Sequence, residues 1–585
     1  MYPRLLAFPI LATLTTIFCA TQLTALAQIV PDNSLGNENS VVTPNVNIRG
    51  INSDRIDGGA VRGGNLFHSF EEFNVDEGRG AYFSNPDNII NILSRVTGDN
   101  ISQILGTLGV LGNANLFLIN PSGIVFEPNA SLDVGGSFFA TTADGILFEN
   151  GFEFSASNPE APPLLTINIP IGLNIRENPG RIVNQATLTT LDDGSTIRDD
   201  AGFLVPQGLN VPQNQTLALV GGDILFNNGV AISPGSQIEL GGLSEPGIIE
   251  LANIEANGNR SVLQFPNNIQ RANVALTNES QINVRSNEGR NININARNFE
   301  MSERSIIRAG FDQGLGFAEA QGGDVNINAQ ENVLLTDNSF ISNIIDIDSL
   351  GEPGDINIET SSLFMENGAA VTASTFGPGN AGSVSILATN SVEFSNANIF
   401  SSAEIGAVGN AGTVEIITEN LLLSNGSQVI TDISGEGNAG NITVQAKSIE
   451  LTGTFANDSE QFSSSFFADV NQTGIGNGGT ITIETEQLLL SDGAQISSST
   501  FGQVNAGLVS ILATDSVELL GSSIISNVVE GGTGNANTVN IETQNLLVSG
   551  GSQIQSLTFG NGDAGNINIK AQSIDITGTS TDGLG

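Results

Sequence analysis

Residues equipped for acid–base or nucleophilic chemistry are few in this 585-residue chain: His68 is the only histidine and Cys19 the only cysteine. Beyond Arg308 the only cations are Lys447 and Lys570. A polysaccharide lyase needs a basic group to take a proton or to shield a uronate carboxylate, and two lysines are a thin supply. Paired carboxylates alone can hydrolyse glycosides, but Glu415, Glu419 and Glu484 fall at equivalent places of a repeat, as solvated faces do. No nucleophile elbow, phosphate loop or His-rich metal spacing is present. The reading is therefore a non-catalytic chain with no cofactor and no metal ligands, in which His68 is structural. Acidic residues number 61 against 18 basic, a net charge of −43. Such a surface repels nucleic acid and anionic lipid, and it keeps a long exposed strand array in solution. The Gly-Gly-x-Gly-x-Asp calcium nonapeptide is missing.

What organises the chain is a glycine that returns about every thirty residues. It stands at Gly323, Gly354, Gly382, Gly412, Gly440, Gly479, Gly507 and Gly565, with Asn537 filling the remaining slot. Spacings of 28 and 30 alternate, so the pairs Gly354/Gly412, Gly382/Gly440, Gly479/Asn537 and Gly507/Gly565 are each 58 apart. Two coil types interleave. The run Ser385 to Phe394 recurs almost letter for letter at Ser510 to Leu519, and a polar insertion is expected around Ser459 to Asn471. A repeat of this length means stacked coils.

Within a coil, apolar and polar residues alternate over three to five positions, pause at Gly, Asn, Asp or Ser, and resume. That is the signature of short strands. Three runs fit: around Val414 and Ile416, around Leu421 and Leu423, and at Val429. Asn367-Gly368, Asn425-Gly426 and Asp492-Gly493 suit corners that need positive φ. One coil buries almost nothing alone, so stacking must supply the core. The expected fold is all-β: a right-handed parallel β-helix of three-strand coils, 28–30 residues each, whose N-terminal part caps the rod.

Arg4, the apolar run from Leu5 to about Cys19, and Ala25-Leu26-Ala27 before Gln28 have the layout of a cleaved secretory signal. Residues 1–27 are read as that signal, 28–243 as an N-terminal unit and 244–585 as the repeat array. Cys19 leaves with the signal, so the exported chain has no thiol or disulfide.

The N-terminal unit resembles the secretion domain of filamentous haemagglutinin-like exoproteins, the passengers of two-partner secretion. The matching runs are Asn65 to Val75, Ile92 to Gly98, Ser102 to Gly106, Asn115 to Phe126, Leu132 to Phe138 and Leu217 to Gly241. The family's Asn-Pro-Asn-Gly-Ile signature stands here as Asn120-Pro121-Ser122-Gly123-Ile124, with serine in third place. Its Asn-Pro-Asn-Leu motif has two loose counterparts, Asn113-Ala114-Asn115-Leu116 and Asn85-Pro86-Asp87-Asn88. The resemblance implies export through the periplasm and an outer-membrane β-barrel transporter, with the membrane met only in transit. It also implies a secreted or cell-surface location on a diderm bacterium, contact with an unknown surface or glycan, and a secretion role for Asn120 to Ile124. Read from the residues alone, the same run is a sharp turn. A polysaccharide-active β-helix enzyme is the rival reading. Thr579 to Gly585 stop within a coil, which implies an array that continues.

Overall fold

The computed structural model describes residues 28–163, 169–187, 208–252, 263–456 and 461–578. The expected signal (1–27) and the terminal segment from Thr579 lie outside them. The expected parallel β-helix is borne out. From Asn65–Phe73 onward, strands stack in parallel on their counterparts in the next coil: Asn65–Phe73 on Asn91–Val96, that on Asn115–Ile119, and so on to Ser573–Thr577.

The alternating pattern dictates this directly. Val384–Ser395 buries Val384, Ile386, Val392 and Phe394 inside the coil and turns Leu387, Asn390 and Glu393 outward. Its register neighbours Ile356 and Val414 are likewise inaccessible. Each such Val, Ile or Leu contributes roughly 1.5–3 kcal/mol by burial, and only stacking makes that burial available.

The three runs of a coil form strands where expected, at Val414–Ile417, Asn420–Ser424 and Gln428–Ile430. The first two share one sheet, and in Val325–Leu335, Ile356–Glu366 and Ile481–Ser491 they fuse into a single strand with a register shift at its middle. Only Thr418 and Glu419 separate Val414–Ile417 from Asn420–Ser424, and both strands pair within the same sheet. The third run forms a second sheet, represented by Gln428–Ile430 on Asn398–Phe400. The corner between second and third runs is the expected one. Asn425 and Gly426 have φ of 52° and 77°, and Asp492 and Gly493 of 53° and 86°.

The recurrent glycine is required by space rather than by φ. A Cβ on Gly382 would run into the carbonyl oxygen of Gly354, and one on Gly412 into that of Gly382, so the coils touch backbone to backbone along this column. The alternation of 28 and 30 residues arises just before it. Thr375 to Gly382 forms a short corner, whereas Ala403 to Gly412 is two residues longer and closes a turn in which Ala407 N donates to Glu404 O. The same turn recurs at Asn471–Gly474 and Val529–Gly532.

The insertion differs from its expected place. It is a hairpin of Thr454–Ala456 and Gln461–Ser463, and the coil has resumed by Ser464, whose Oγ accepts Gly426 N at 3.1 Å. Ser464 and Ser465 are fully buried.

At the N-terminal end the cap is antiparallel. Ile29–Pro31 and Ala60–Arg62 pair with Asn65–Phe73, and Ser40–Ile48 pairs with Ile51–Gly58. These strands cover the first coil, whose bare edge would otherwise invite pairing with other chains. A further antiparallel sheet of Gly145–Phe148, Glu153–Ser155, Pro170–Ile175, Gly247–Leu251 and Leu263–Gln264 lies against the outside of the coils. Its Ile146, Phe148, Phe154, Leu173 and Ile249 form a second core with Phe67, Leu93, Phe117 and Phe139, which face outward from successive coils.

Candidate functional site

Asn120 ends the strand Asn115–Ile119 and is fully buried. Its Nδ2 donates to Asn100 O at 3.0 Å and to Ser102 Oγ at 2.9 Å, while its Oδ1 accepts Ser122 N at 3.0 Å. The amide thereby closes its own turn and ties it to the preceding coil. Gly123, at φ +130°, donates its N–H to Asn120 O, and Gly180 N donates to Pro121 O. A Cβ on Gly180 would collide with the Ser122 backbone, so the following coil rests on this turn. Ile124 starts the next strand with its side chain in the core, and Pro121 and Ser122 are half-buried.

The loose counterpart motifs lie on the opposite end of the same strand and come together. Asn85 Oδ1 accepts Ala114 N at 2.9 Å, joining the Asn85–Asn88 corner to the Asn113–Leu116 corner of the next coil. Asn115 belongs to an amide ladder: its Nδ2 donates to Asn91 Oδ1 at 3.0 Å, and Asn91 Nδ2 donates to Asn65 Oδ1 at 3.0 Å. Leu116 is core. Pro86, Asp87, Asn88 and Asn113 are exposed and, with Asn214 and Gln215, line an open cleft of about 630 Å³. The structure therefore separates Asn120 from Asn113, the first buried and the second on a polar surface, at the two ends of one strand.

His68 is fully buried beside Phe83, with ring centroids 5.2 Å apart. Its Nδ1 meets Ser40 Oγ at 3.0 Å, and its Nε2 has no hydrogen-bond partner among the described residues. Burial pushes its pKa down to about 3, with Asp57 pulling weakly the other way. The folded chain thus holds a neutral ring that the unfolded chain protonates near pH 6.5. Stability from this group is complete above pH 6.5 and is lost as pH falls toward 3, by on the order of 5 kcal/mol. Asp432 and Asp469, both raised by burial, titrate in the opposite sense. The expected result is that His68→Gln flattens the decline in denaturant midpoint between pH 6.5 and 4 relative to the parent chain. Parallel pH profiles for the two would contradict the buried neutral ring.

Glu415, Glu419 and Glu484 are exposed on the outer face of the array. Glu419 is ion-paired with Lys447, and Gln445 Nε2 lies 3.5 Å from Glu484 Oε2.

One buried site was not anticipated from sequence. Arg95 is fully enclosed, its guanidinium 4.2 Å from the centroid of the Phe154 ring. It donates to Ser69 Oγ (2.9 Å), Ser34 Oγ (2.8 Å), Ser155 O (2.9 Å) and Glu160 O (3.1 Å). Asp32 accepts from Ser34, Ser69 and Thr97, each at 2.7 Å. Burial lowers Arg95 to about 10, so it remains a cation at neutral pH, opposed by the Asp32 carboxylate. One side chain thereby pins the cap, the first coils and the outer sheet. A sequence signal for the outer sheet existed: Leu116-Phe117-Leu118-Ile119 is apolar without alternation, as strands covered on both faces are.

Residues 27–300 match the family model of the TPS secretion domain. The heme/hemopexin-binding protein of Haemophilus influenzae is 37% identical over 78 residues, which are 13% of this chain and 8% of that protein. Among solved structures, the secretion domain of HMW1 from Haemophilus influenzae aligns with a TM-score of 0.44 at 15% identity, over 75% of this chain and 97% of that one.

Proposed function

We propose that this chain, a two-partner secretion exoprotein whose residues 27–300 carry the secretion domain, is a non-catalytic passenger that crosses the outer membrane through a dedicated β-barrel transporter. It then works by surface contact, on or released from a diderm cell. The observation that carries the reading is the match over residues 27–300, on a unit whose antiparallel strands cap a continuous parallel stack. The proposed path runs through the periplasm as an extended chain, with coils forming outside and each templating the next. The function rests on the sides of the rod.

The secretion unit, first bounded at 28–243, is proposed to reach Gln264, because Gly247–Leu251 and Leu263–Gln264 complete the outer sheet. Within it, Asn120 to Ile124 serve secretion by building the corner on which the next coil rests. The transporter contact falls instead to the exposed cleft with Asp87, Asn88 and Asn113. Heme or hemopexin binding is not carried over from the relative, whose match covers 78 residues and 8% of its length.

The test is secretion of the chain with Asp87→Ala and Asn113→Ala together, in a host expressing the cognate transporter. Reduced secretion with an unchanged melting temperature is expected. Full secretion would remove the cleft from the transporter interface.

A further inference from the structure

The alternation of short and long corners gives one edge of the array a toothed profile. The turn tips at Ile405-Gly406, Gln472-Thr473 and Glu530-Gly531 belong to every second coil, which sets them about 10 Å apart. The short corners between them, at Ser434 and at Phe501 to Gln503, form the floors of notches. The β-bridges Ile433–Val470, Val470–Thr500 and Thr500–Val528 hold these corners in register. Together they line an axial cleft of about 800 Å³.

We propose that this cleft is a binding site for an uncharged linear glycan lying along the rod. The proposal rests on the surface-contact reading and gives it a ligand class. The chemistry of the lining decides it. Phe501 is 41% exposed on a notch floor between two tips, a ring face suited to the apolar face of a sugar. The amides of Gln472 and Gln503 are exposed beside it and make no hydrogen bond among the described residues, leaving donors and acceptors for hydroxyl groups. Asn471 is held by Ser434, which accepts its Nδ2 at 2.9 Å.

Among the described residues lining the cleft Glu530 alone is charged, so an anionic polysaccharide would meet repulsion there. An added peptide strand finds no free ladder either: Phe501 N donates to Val470 O, Thr500 N to Asn527 O and Thr533 N to Gly502 O. Recognition is left to a ring and amides, the pattern that fits a neutral sugar chain. Phe559 stands in the same corner column two coils further on, 63% exposed, and extends the platform along the axis.

The experiment is titration calorimetry of the purified full chain with cellohexaose, chitohexaose and mannohexaose, and with polygalacturonate as the anionic counterpart. At least one neutral hexasaccharide should bind. Phe501→Ala should weaken it about tenfold and Gln472→Ala with Gln503→Ala by several fold, while Phe317→Ala, another exposed ring, leaves it unchanged. Unaltered thermal melting of each variant establishes that the fold persists. Absence of binding by all three neutral sugars, preference for polygalacturonate, or indifference to Phe501→Ala each overturns the site. Adherence of the full chain to cells, read in parallel, separates the two ideas. Adherence that survives Phe501→Ala removes this cleft and leaves surface contact standing, whereas a parent chain that adheres to nothing removes the surface-contact reading itself.

Discussion

Arg95→Met should be the most damaging single substitution in the N-terminal unit, costing about 3–5 kcal/mol. The methionine fills part of the volume but makes none of the four hydrogen bonds to Ser34, Ser69, Ser155 and Glu160. It also leaves the half-buried Asp32 without its cation. Removing one member of a buried, hydrogen-bonded charge cluster costs far more than the cluster itself is worth, because the partners stay desolvated. Since Arg95 joins three elements, the loss should be cooperative, with cap and outer sheet released together. Urea unfolding of the chain, with limited proteolysis to locate the opened segment, checks this. A shift smaller than about 1 kcal/mol, or cleavage confined to the repeat array, would show that the network is incidental.

Asn120→Ala is expected to cost about 3 kcal/mol and to reduce secretion in proportion. Asn100 O and Ser122 N lose their bond to the amide at a partly exposed turn, while Ser102 Oγ loses its bond in the interior, where an unsatisfied group carries a penalty of roughly 1–3 kcal/mol. A fully buried side chain acts through the fold, so growth at low temperature should restore secretion of Asn120→Ala as it restores folding. Loss of secretion at every temperature from a chain of parental stability would instead assign Asn120 a direct contact with the transporter, made before the coil forms.

The array was legible in the sequence because each rule that governs it is local. Asn425-Gly426 and Asp492-Gly493 predict positive φ from two residues, and Ile386 and Val392 predict an inward face from their spacing. What failed to show were features that depend on neighbours far along the chain. The serines from Ser463 to Ser465 read as a polar loop, yet Ser464 and Ser465 are interior because their hydroxyls satisfy backbone groups such as Gly426 N and Thr452 O. The same holds for Asn120, whose amide looks like an exposed turn residue until the preceding coil supplies Asn100 and Ser102. Arg95 could not be placed at all, since its partners lie 26 to 65 residues away. That runs one and two share a sheet was not legible, because alternation marks strands without saying whether two residues between them turn a corner or merely bend one.

On the proposed reading, the N-terminal unit commits this chain to a dedicated outer-membrane route. The most direct test expresses the full chain, with its own first 27 residues, in a two-membrane bacterial host with and without the cognate transporter. The medium, the surface fraction and the periplasm are then assayed for folded, protease-resistant product. Product outside the cell only when the transporter is present is the predicted result. Retention in the periplasm in both strains, or release in both, would contradict it.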